Sequence, residues 1–371
     1  MQALHYCEQN MNAPTRLSLV IPCYNEERTL RDCVSRCLAL RERNIDLELV
    51  IVDDCSTDNS LAVARELESE ISGITVVRHE VNKGKGAALR TGFLHATGDY
   101  VGVQDADQEY NPLDYLKLLV PLVEGDADVV YGSRYLRRQT RRVLSFWHTW
   151  MNRTLTFISN MFTGLDISDM ETCYKLFSRA AIAEIAPLLK EERFGFEPEV
   201  TALIAQKRFR VYECSIHYEP RGYEEGKKIG WQDGVHALYC ILHYSAHCAP
   251  LPMQVLIYLC IGLVCALTNI SIFSTLIGVG FSAAAAIWIA FLLAAGLNYL
   301  LCITVLFRHK ARWSGPREVA IYIACVLLMG CVDYAITSGF IFCGISPYWS
   351  KVWSTLLGFV GNFLLRKFCV F

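Results

Sequence analysis

Hydrophobic residues in the first part of the chain come in short runs divided by polar, helix-period segments; in the last third they form long, nearly uncharged stretches. Leu17-Ser18-Leu19-Val20-Ile21-Pro22 is a short apolar run closed by proline, with the length and flanks of a buried strand. Tyr24-Asn25-Glu26-Glu27 follows, then a helical pattern through Leu30, Val34, Leu38 and Leu40. The next strand, Leu47–Val52, runs into Asp53-Asp54-Cys55-Ser56-Thr57-Asp58, and a helix through Ala62 to Leu67 leads to a third strand at Thr75-Val76-Val77. Asn82-Lys83-Gly84-Lys85-Gly86 opens a helix from Ala87 to His95, and a fourth strand ends in Val103-Gln104-Asp105-Ala106-Asp107-Gln108-Glu109. A further strand, Asp128–Ser133, runs into Arg134. This alternation predicts an α/β fold with a mainly parallel sheet and helices on both faces. Ligands of such sheets sit beyond the carboxyl ends of the strands, where three successive polar clusters fall: Tyr24/Glu26, Asp53/Asp54 and Asp105/Asp107.

The pattern changes after Trp231. Trp231 to His247 is aromatic and dotted with histidine, a candidate interfacial helix. From Cys248 to Phe307 there is no Asp, Glu, Lys or Arg, too long for one span of about 20 residues. Gly278-Val279-Gly280 breaks it, giving spans near 253–275 and 283–306, with two more near 318–340 and 349–366. Arg308-His309-Lys310-Ala311-Arg312 and Arg366-Lys367 then fall on one side, which places both termini and the front domain in the cytoplasm. Asp333, inside the third span, is costly in hydrocarbon and reads as a site or as a residue paired with Asn269, Asn298 or Asn362.

Composition sharpens this division. Of 35 Lys and Arg and 37 Asp and Glu in 371 residues, only seven basic and two acidic ones lie in 250–371, so the net charge of -2 hides an acidic front and a basic-punctuated back. Neither part has the basic face expected of a nucleic-acid binder. The sixteen cysteines are scattered, with no C-x-x-C pair, and read as packing residues in a reducing compartment. Residues 1–16 are polar and lack the apolar core of a secretory signal.

Candidate chemistry centres on the acidic stretch. Residues i and i+2 of an extended segment point to one side, so Asp105 and Asp107 can face one cation if the strand persists to them. Oxygen-only ligands suit Mg2+ or Mn2+, and Glu109 is a third candidate ligand. A basic patch at Arg137, Arg138, Arg141 and Arg142 precedes a Trp/Phe-rich helix from Phe146. Arg137 and Arg138 read as a solvated face. Arg141 and Arg142, with Ser145 beside them, are candidates for an acceptor phosphate at a membrane surface.

Four motifs in order, V-I-P-x-Y-N-E-E, V-D-D-x-S-x-D, N-x-G-K-G and D-A-D, cover residues 17–135 and resemble family-2 glycosyltransferases of the GT-A fold. The resemblance implies a Rossmann-like α/β domain in which Pro22, Tyr24, Glu26, Asp53 and Asp54 hold the nucleoside of a sugar nucleotide. It also implies that Asp105 and Asp107 hold the metal on its diphosphate. Lys85 resembles part of a phosphate cradle, and its other reading, a glycine-rich turn before a helix, stays open. The polyprenyl-phosphate branch continues D-A-D-x-Q, where this chain has Glu109. Its G-S-R ending implies Arg134 beside the diphosphate or the acceptor. Asp169–Lys175, Arg193–Glu199 and Arg221–Trp231 resemble segments of dolichyl-phosphate mannose synthases and GtrB-type enzymes. Asp169 and Glu171 are then expected near the transferred sugar, and Arg221, Lys227 and Lys228 on phosphates.

The F-L-L-R-K-F-x-V-F tail and the short-looped spans resemble the GtrA-like membrane domain. The expected organisation is an N-terminal tail (1–16), a GT-A glycosyltransferase domain (17–230), an interfacial helix (231–250) and a GtrA-like all-α membrane domain of four transmembrane helices (251–371). The implied reaction is an inverting, metal-dependent transfer of glucose or mannose from UDP-glucose or GDP-mannose to undecaprenyl or dolichyl phosphate at the cytoplasmic membrane face. A phosphate monoester, with a second pKa near 6, attacks without the general base that a hydroxyl acceptor needs. The Q-x-x-R-W motif of processive synthases is absent: His309 stands where Gln would precede Arg312-Trp313. The alternatives are transfer to a glycan hydroxyl of the cell envelope, or translocation of a lipid-linked sugar by the membrane domain. Homo-oligomerisation is left open by the sequence.

Overall fold

The computed structural model describes residues 15–136, 142–220, 231–306, 315–345 and 347–370. The chain divides into two compact units, Met1–Cys248 and Ala249–Phe371.

The first unit is built on seven strands: β1 (Thr15–Cys23), β2 (Ile45–Asp53), β3 (Ile74–Arg78), β4 (Tyr100–Val103), β5 (Val129–Ser133), β6 (Lys175–Ser178) and β7 (Val211–Ser215). Their order is β3-β2-β1-β4-β6-β5-β7. β1 is buried along almost its whole length, which its mostly apolar run, interrupted by Ser18, allows because both of its sheet neighbours are parallel and helices cover the sheet. Helix α1 (Leu30–Leu38) turns Leu30, Cys33, Val34 and Cys37 inward at the three-to-four spacing of a buried stripe. Helices α2 (Ser60–Glu70) and α3 (Lys85–His95) make the crossovers that parallel pairing requires. The register sets Cys23 beside Asp53 and Val20 beside Val103, so the carboxyl ends of β1, β2 and β4 open on one edge.

One expectation is refined and another changes here. First, the sheet is mainly parallel, in four of its six pairings, but β6 runs antiparallel to both β4 and β5. Its sequence, Lys175-Leu176-Phe177-Ser178, is four residues long and begins with a lysine, so it carries no strand period. The buried Lys175 fits because its ammonium donates to the backbone carbonyls of Met170 (3.0 Å) and Thr172. Second, β4 ends at Val103, and the chain passes into a turn in which Gln108 has φ 63°. Asp105 and Asp107 therefore sit on a turn and not on one face of an extended strand.

Beyond β4 the unit contains α4 (Tyr115–Val123), α5 (Phe146–Thr163), α6 (Arg179–Ile185), α7 (Phe196–Lys207) and α8 (Trp231–Ser245). Helix α5 exposes Phe146, Trp147, Trp150 and Phe157, and α8 exposes Val235, Leu238, Tyr239 and Leu242.

The second unit holds helices α9 (Leu251–Gly278), α10 (Ala283–Leu301), α11 (Gly315–Phe342) and α12 (Pro347–Leu365). Among the described residues, α9 is long and apolar enough to cross a membrane, and Leu292–Leu306 and Ala320–Met329 are shorter apolar stretches. Gly280, at φ 94°, turns the chain between α9 and α10. Arg366 is buried: its guanidinium donates to Asn298 Oδ1 and lies over the rings of Tyr258 (5.4 Å) and Tyr322 (4.9 Å). Asn298, an expected partner of Asp333, is thus engaged by arginine. Asp333 lies on α11, and its side chain is outside the described residues.

Candidate active site

The two aspartates that end β2 do different work. Asp54 is saturated: Oδ1 accepts from the backbone N–H of Lys83 (2.9 Å) and pairs with His79 Nδ1 (2.7 Å), and Oδ2 accepts from the N–H of Gly84 (2.6 Å). It therefore anchors the Lys83–Gly84 loop. Asp53 is fully buried, with Oδ2 accepting from Ser56 N–H (3.3 Å) and Oδ1 without a partner. A buried oxygen left this way is costly unless something completes it. The neighbouring loops are laced together by Asn25, whose Oδ1 accepts from Thr57 N–H (2.8 Å), and by Glu26, whose N–H donates to Ser60 Oγ (2.7 Å). Tyr24 is exposed beside them, and Pro22 lies on β1.

The loop anchored by Asp54 delivers Lys85. Gly84 has φ 95°, and a Cβ there would lie 2.4 Å from the carbonyl oxygen of Glu192; one at Gly86 would lie 2.4 Å from that of Glu191. Both glycines are therefore pressed against the 191–192 backbone, which fixes where Lys85 points. Its Nζ lies 2.8 Å from Asp105 Oδ1, 2.9 Å from Cys173 Sγ and 3.9 Å from Glu197 Oε1. The Gly-Lys-Gly segment is thus a glycine-rich turn before a helix that also projects its lysine onto the acidic stretch.

Charge is unevenly matched around this lysine. Burial disfavours ionising Asp105, but the Lys85 ammonium, the Cys173 hydrogen bond and the Lys175 charge together outweigh it and hold the carboxyl below its usual range. At Asp107 burial, then the charges of Asp105 and Glu109, outweigh the Glu109 N–H and Lys85 and push the carboxyl up to about 7. Glu109 accepts from Tyr218 OH (2.9 Å), and its N–H donates to Asp107 Oδ1 (3.1 Å). Asp107 borders a cleft of about 740 Å³ also lined by Asn25, Glu26, Asp58, Gln108 and Arg142. Asp105, Asp107 and Glu109 are oxygen-only donors of the type that suits a hard divalent cation, although among the described residues their ligand atoms are not gathered into a three-ligand group.

A second, deeper layer lies across β5 and β6. Arg134 and Asp169 form a buried bidentate pair, Nε to Oδ2 at 2.7 Å and Nη2 to Oδ1 at 2.8 Å, and the Arg134 N–H also donates to Oδ2 (3.0 Å). The guanidinium stands 5.2 Å from the centre of the Tyr218 ring, linking this layer to Glu109. Glu171 is half-buried, its Oε1 buried and unpartnered, and burial together with the Glu197 carboxylate pushes it up to about 8. Lys175 lies below its usual range because burial outweighs the carboxylates of Glu197, Glu171 and Asp169.

Among the residues expected from sequence, the structure thus gathers Lys85, Asp105, Asp107, Glu109, Arg134, Asp169 and Glu171 around β4–β6, with Asp53 and Asp54 at the end of β2. Arg142 lines the cleft, and the exposed Ser145 precedes α5. Arg141, Arg221, Lys227 and Lys228, like Arg137 and Arg138, lie outside the described residues. Sequence reasoning passed over His79, Cys173, Glu197 and Tyr218 as site residues. Glu197 and Cys173 stand inside segments already picked out by their charge density, but Tyr218 and His79 carry no local signal.

A mixed α/β sheet with an acidic turn after its fourth strand and a lysine-bearing loop beside it defines a GT-A-type domain. Residues 18–186 match glycosyl transferase family 2, and residues 257–371 match the GtrA/DPMS transmembrane domain. The chain thus joins a stretch that matches glycosyl transferase family 2 to one that matches the GtrA/DPMS transmembrane domain. It is 34% identical over 228 residues to the dolichyl-phosphate beta-glucosyltransferase of Saccharomyces cerevisiae, covering 54% of this chain and 66% of that one. The Drosophila melanogaster protein of the same name is 29% identical, with the same 54% and 66% covered. The UDP-N-acetylglucosamine--dolichyl-phosphate N-acetylglucosaminyltransferase of Methanococcus voltae is 27% identical, over 53% of this chain and 83% of that protein. Each shared region is thus about half of this chain, and in the two glucosyltransferases it falls just short of two thirds of their length. The fold is shared with the crystal structure of glucosyl-3-phosphoglycerate synthase from Mycobacterium tuberculosis in complex with Mn2+, uridine diphosphate and phosphoglyceric acid. The TM-score is 0.50 at 19% identity, with 64% of this chain and 81% of that chain covered.

Proposed function

We propose that this protein transfers a hexose, with inversion, from a nucleotide sugar to a polyprenyl phosphate, and that UDP-glucose is the donor. The observation that carries this reading is the union in one chain of a match to glycosyl transferase family 2 and a match to the GtrA/DPMS transmembrane domain. The glucosyl and UDP assignments are supported by relatives named dolichyl-phosphate beta-glucosyltransferase and by one named for UDP-N-acetylglucosamine.

In this reading the unpartnered Asp53 Oδ1 accepts from the nucleoside. Asp105, Asp107 and Glu109 hold Mg2+ or Mn2+, which when bound offsets the charge of the leaving diphosphate. Lys85 adds positive charge beside the same phosphates, as do Arg221 and Lys228 of the segment outside the described residues. Arg134, kept in place by Asp169, and Arg142 with Arg141 and Ser145 receive the acceptor phosphate. Glu171 keeps its proton at neutral pH, so it donates a hydrogen bond to the sugar and does not serve as a base. An acceptor that is already anionic needs none. The exposed aromatic residues of α5 and α8 are read as resting on the membrane surface. Helices α9–α12 are read as four spans, with both termini in the cytoplasm.

The test is transfer of label from UDP-[14C]glucose to added polyprenyl phosphate by the purified full chain with Mg2+ or Mn2+. The expected product extracts into organic solvent and releases its sugar in mild acid. Parallel incubations with GDP-mannose and UDP-N-acetylglucosamine decide the donor. Label found only in a water-soluble or polymeric product would sink the lipid-phosphate reading.

A further inference from the structure

Away from the acidic stretch, helix α8 and the segment before α7 bring three side chains of different chemistry to one point. Cys240 Sγ, His236 Nε2 and a carboxylate oxygen of Glu191 lie within 4.8 Å of one another, the one such group of three among the described residues. His236 Nε2 is 3.1 Å from Glu191 Oε2 and 3.4 Å from Cys240 Sγ. Zinc bonds of about 2.0–2.3 Å at tetrahedral angles put neighbouring ligand atoms roughly 3.3–3.7 Å apart. The two spacings already stand close to that edge length. His236 and Cys240 are four residues apart on one helix, which stacks them on the same face.

The surroundings are shaped for this convergence. A Cβ at Gly195 would lie 2.6 Å from Cys240 Sγ and 2.6 Å from Glu191 Oε2, so the backbone is bare where the ligand atoms meet. Tyr244 OH donates to the other carboxylate oxygen, Glu191 Oε1, at 2.8 Å, the kind of outer contact that orients a ligand. Cys240 is fully buried while His236 is half exposed, which leaves a solvent-facing side.

We propose that Glu191, His236 and Cys240 bind one zinc-class transition ion, with water completing the fourth position. A thiolate and an imidazole select such an ion over Mg2+ and Ca2+, and one carboxylate completes three protein ligands. Binding exchanges the Cys240 thiol proton for the ion and involves no redox step. The site has a mechanical consequence. The carbonyl oxygens of Glu191 and Glu192 back Gly86 and Gly84, and Glu192 accepts from Ala87 N–H (3.1 Å). An ion at Glu191 therefore ties α8 to the segment that seats the Lys85 loop. The cluster has no paired-cysteine signature in the sequence; its signal is a His-x-x-x-Cys step on one helix.

The experiment uses the chelator-treated full chain with excess Mg2+ to occupy oxygen-only sites, titrated with Co2+ as a spectroscopic stand-in for Zn2+. The expected result is one equivalent bound with a sulfur-to-cobalt charge-transfer band, bleached by Zn2+. H236Q and C240S should each abolish the band, the half-exposed His236 giving a variant that folds even where C240S does not. Y244F should weaken binding by about tenfold or more. No band in the wild type, or a band of full intensity in both H236Q and C240S, would overturn the site and leave a hydrogen-bonded cluster only.

Discussion

Asp107 and Asp169 are both carboxylates sunk in the same domain, and they sit in opposite electrostatic situations. Asp169 is met by three N–H groups of Arg134, and each of its oxygens has a charged donor. Asp107 shares its surroundings with Asp105 and Glu109, whose charges outweigh the pull of Lys85, itself paired with Asp105. The first arrangement is complete within the folded chain. The second leaves a carboxyl raised by its acidic neighbours, and it borders a cleft. One region is finished structure, and the other concentrates like charge at a cleft.

The sharpest way to break this comparison is to remove each carboxylate's charge and measure stability and transfer separately. Asp169→Asn leaves Arg134 buried beside a neutral amide. Disrupting such a pair typically costs about 3–5 kcal/mol, so the thermal midpoint should drop sharply. Asp107→Asn should do the reverse: metal-free stability at alkaline pH equal to or above wild type, and transfer lowered by about a hundredfold or more. A thermal melt without divalent ions and a transfer assay with them check both arms. If Asp107→Asn destabilises as much as Asp169→Asn, the acidic turn is as finished as the Arg134 pair, and the cation reading fails.

The same contrast separates what the chain's pattern revealed from what it hid. The parallel half of the sheet was legible because β1 and β2 are buried on both faces, and burial imposes mostly apolar runs. Asp53, Asp54, Asp105 and Asp107 stood out because carboxylates closing such runs have no packing reason to be there. The antiparallel β6 was hidden: its four residues begin with Lys175, whose burial depends on carbonyls that no local rule anticipates. The turn geometry of Asp105 and Asp107 was hidden too, since strand period says nothing of where a strand stops. Asp53 and Asp54 looked equivalent in sequence and are not, because only Asp54 meets the backbone of a loop some 30 residues away.

A pH series sharpens the comparison further. Asp107 stands at about 7 in the folded chain, above the ordinary 3.8, so between these values the folded state binds more protons than the unfolded one. Metal-free stability should therefore be greater near pH 5 and be lost as pH rises through about 7. Glu171, at about 8, extends the loss upward, and Glu171→Gln should remove that upper part. Transfer should show the opposite slope, falling up to about tenfold per pH unit below the Asp107 midpoint, as the protonated carboxyl ceases to be a metal ligand. Saturating divalent ion should displace that midpoint downward. A midpoint that ignores divalent ion would detach Asp107 from the cation site.

The smallest expected effect tests the join between the two regions. Tyr218 touches both: its hydroxyl donates to Glu109 Oε2 at 2.9 Å, and its ring lies under the Arg134 guanidinium. Tyr218→Phe keeps the ring and removes only the hydrogen bond, a loss of about 1.5–3 kcal/mol for a charged acceptor. Glu109 then contributes its negative charge to Asp107 without the hydroxyl that offsets it. If Glu109 is a metal ligand, the variant should bind Mn2+ several-fold differently from wild type, while the Arg134–Asp169 pair keeps the thermal midpoint within a few degrees. If Glu109 only props Tyr218 under Arg134, Mn2+ affinity should stay the same and the change should fall on the acceptor KM. Manganese titration followed by electron paramagnetic resonance, set beside acceptor kinetics, assigns Glu109 to one region or the other.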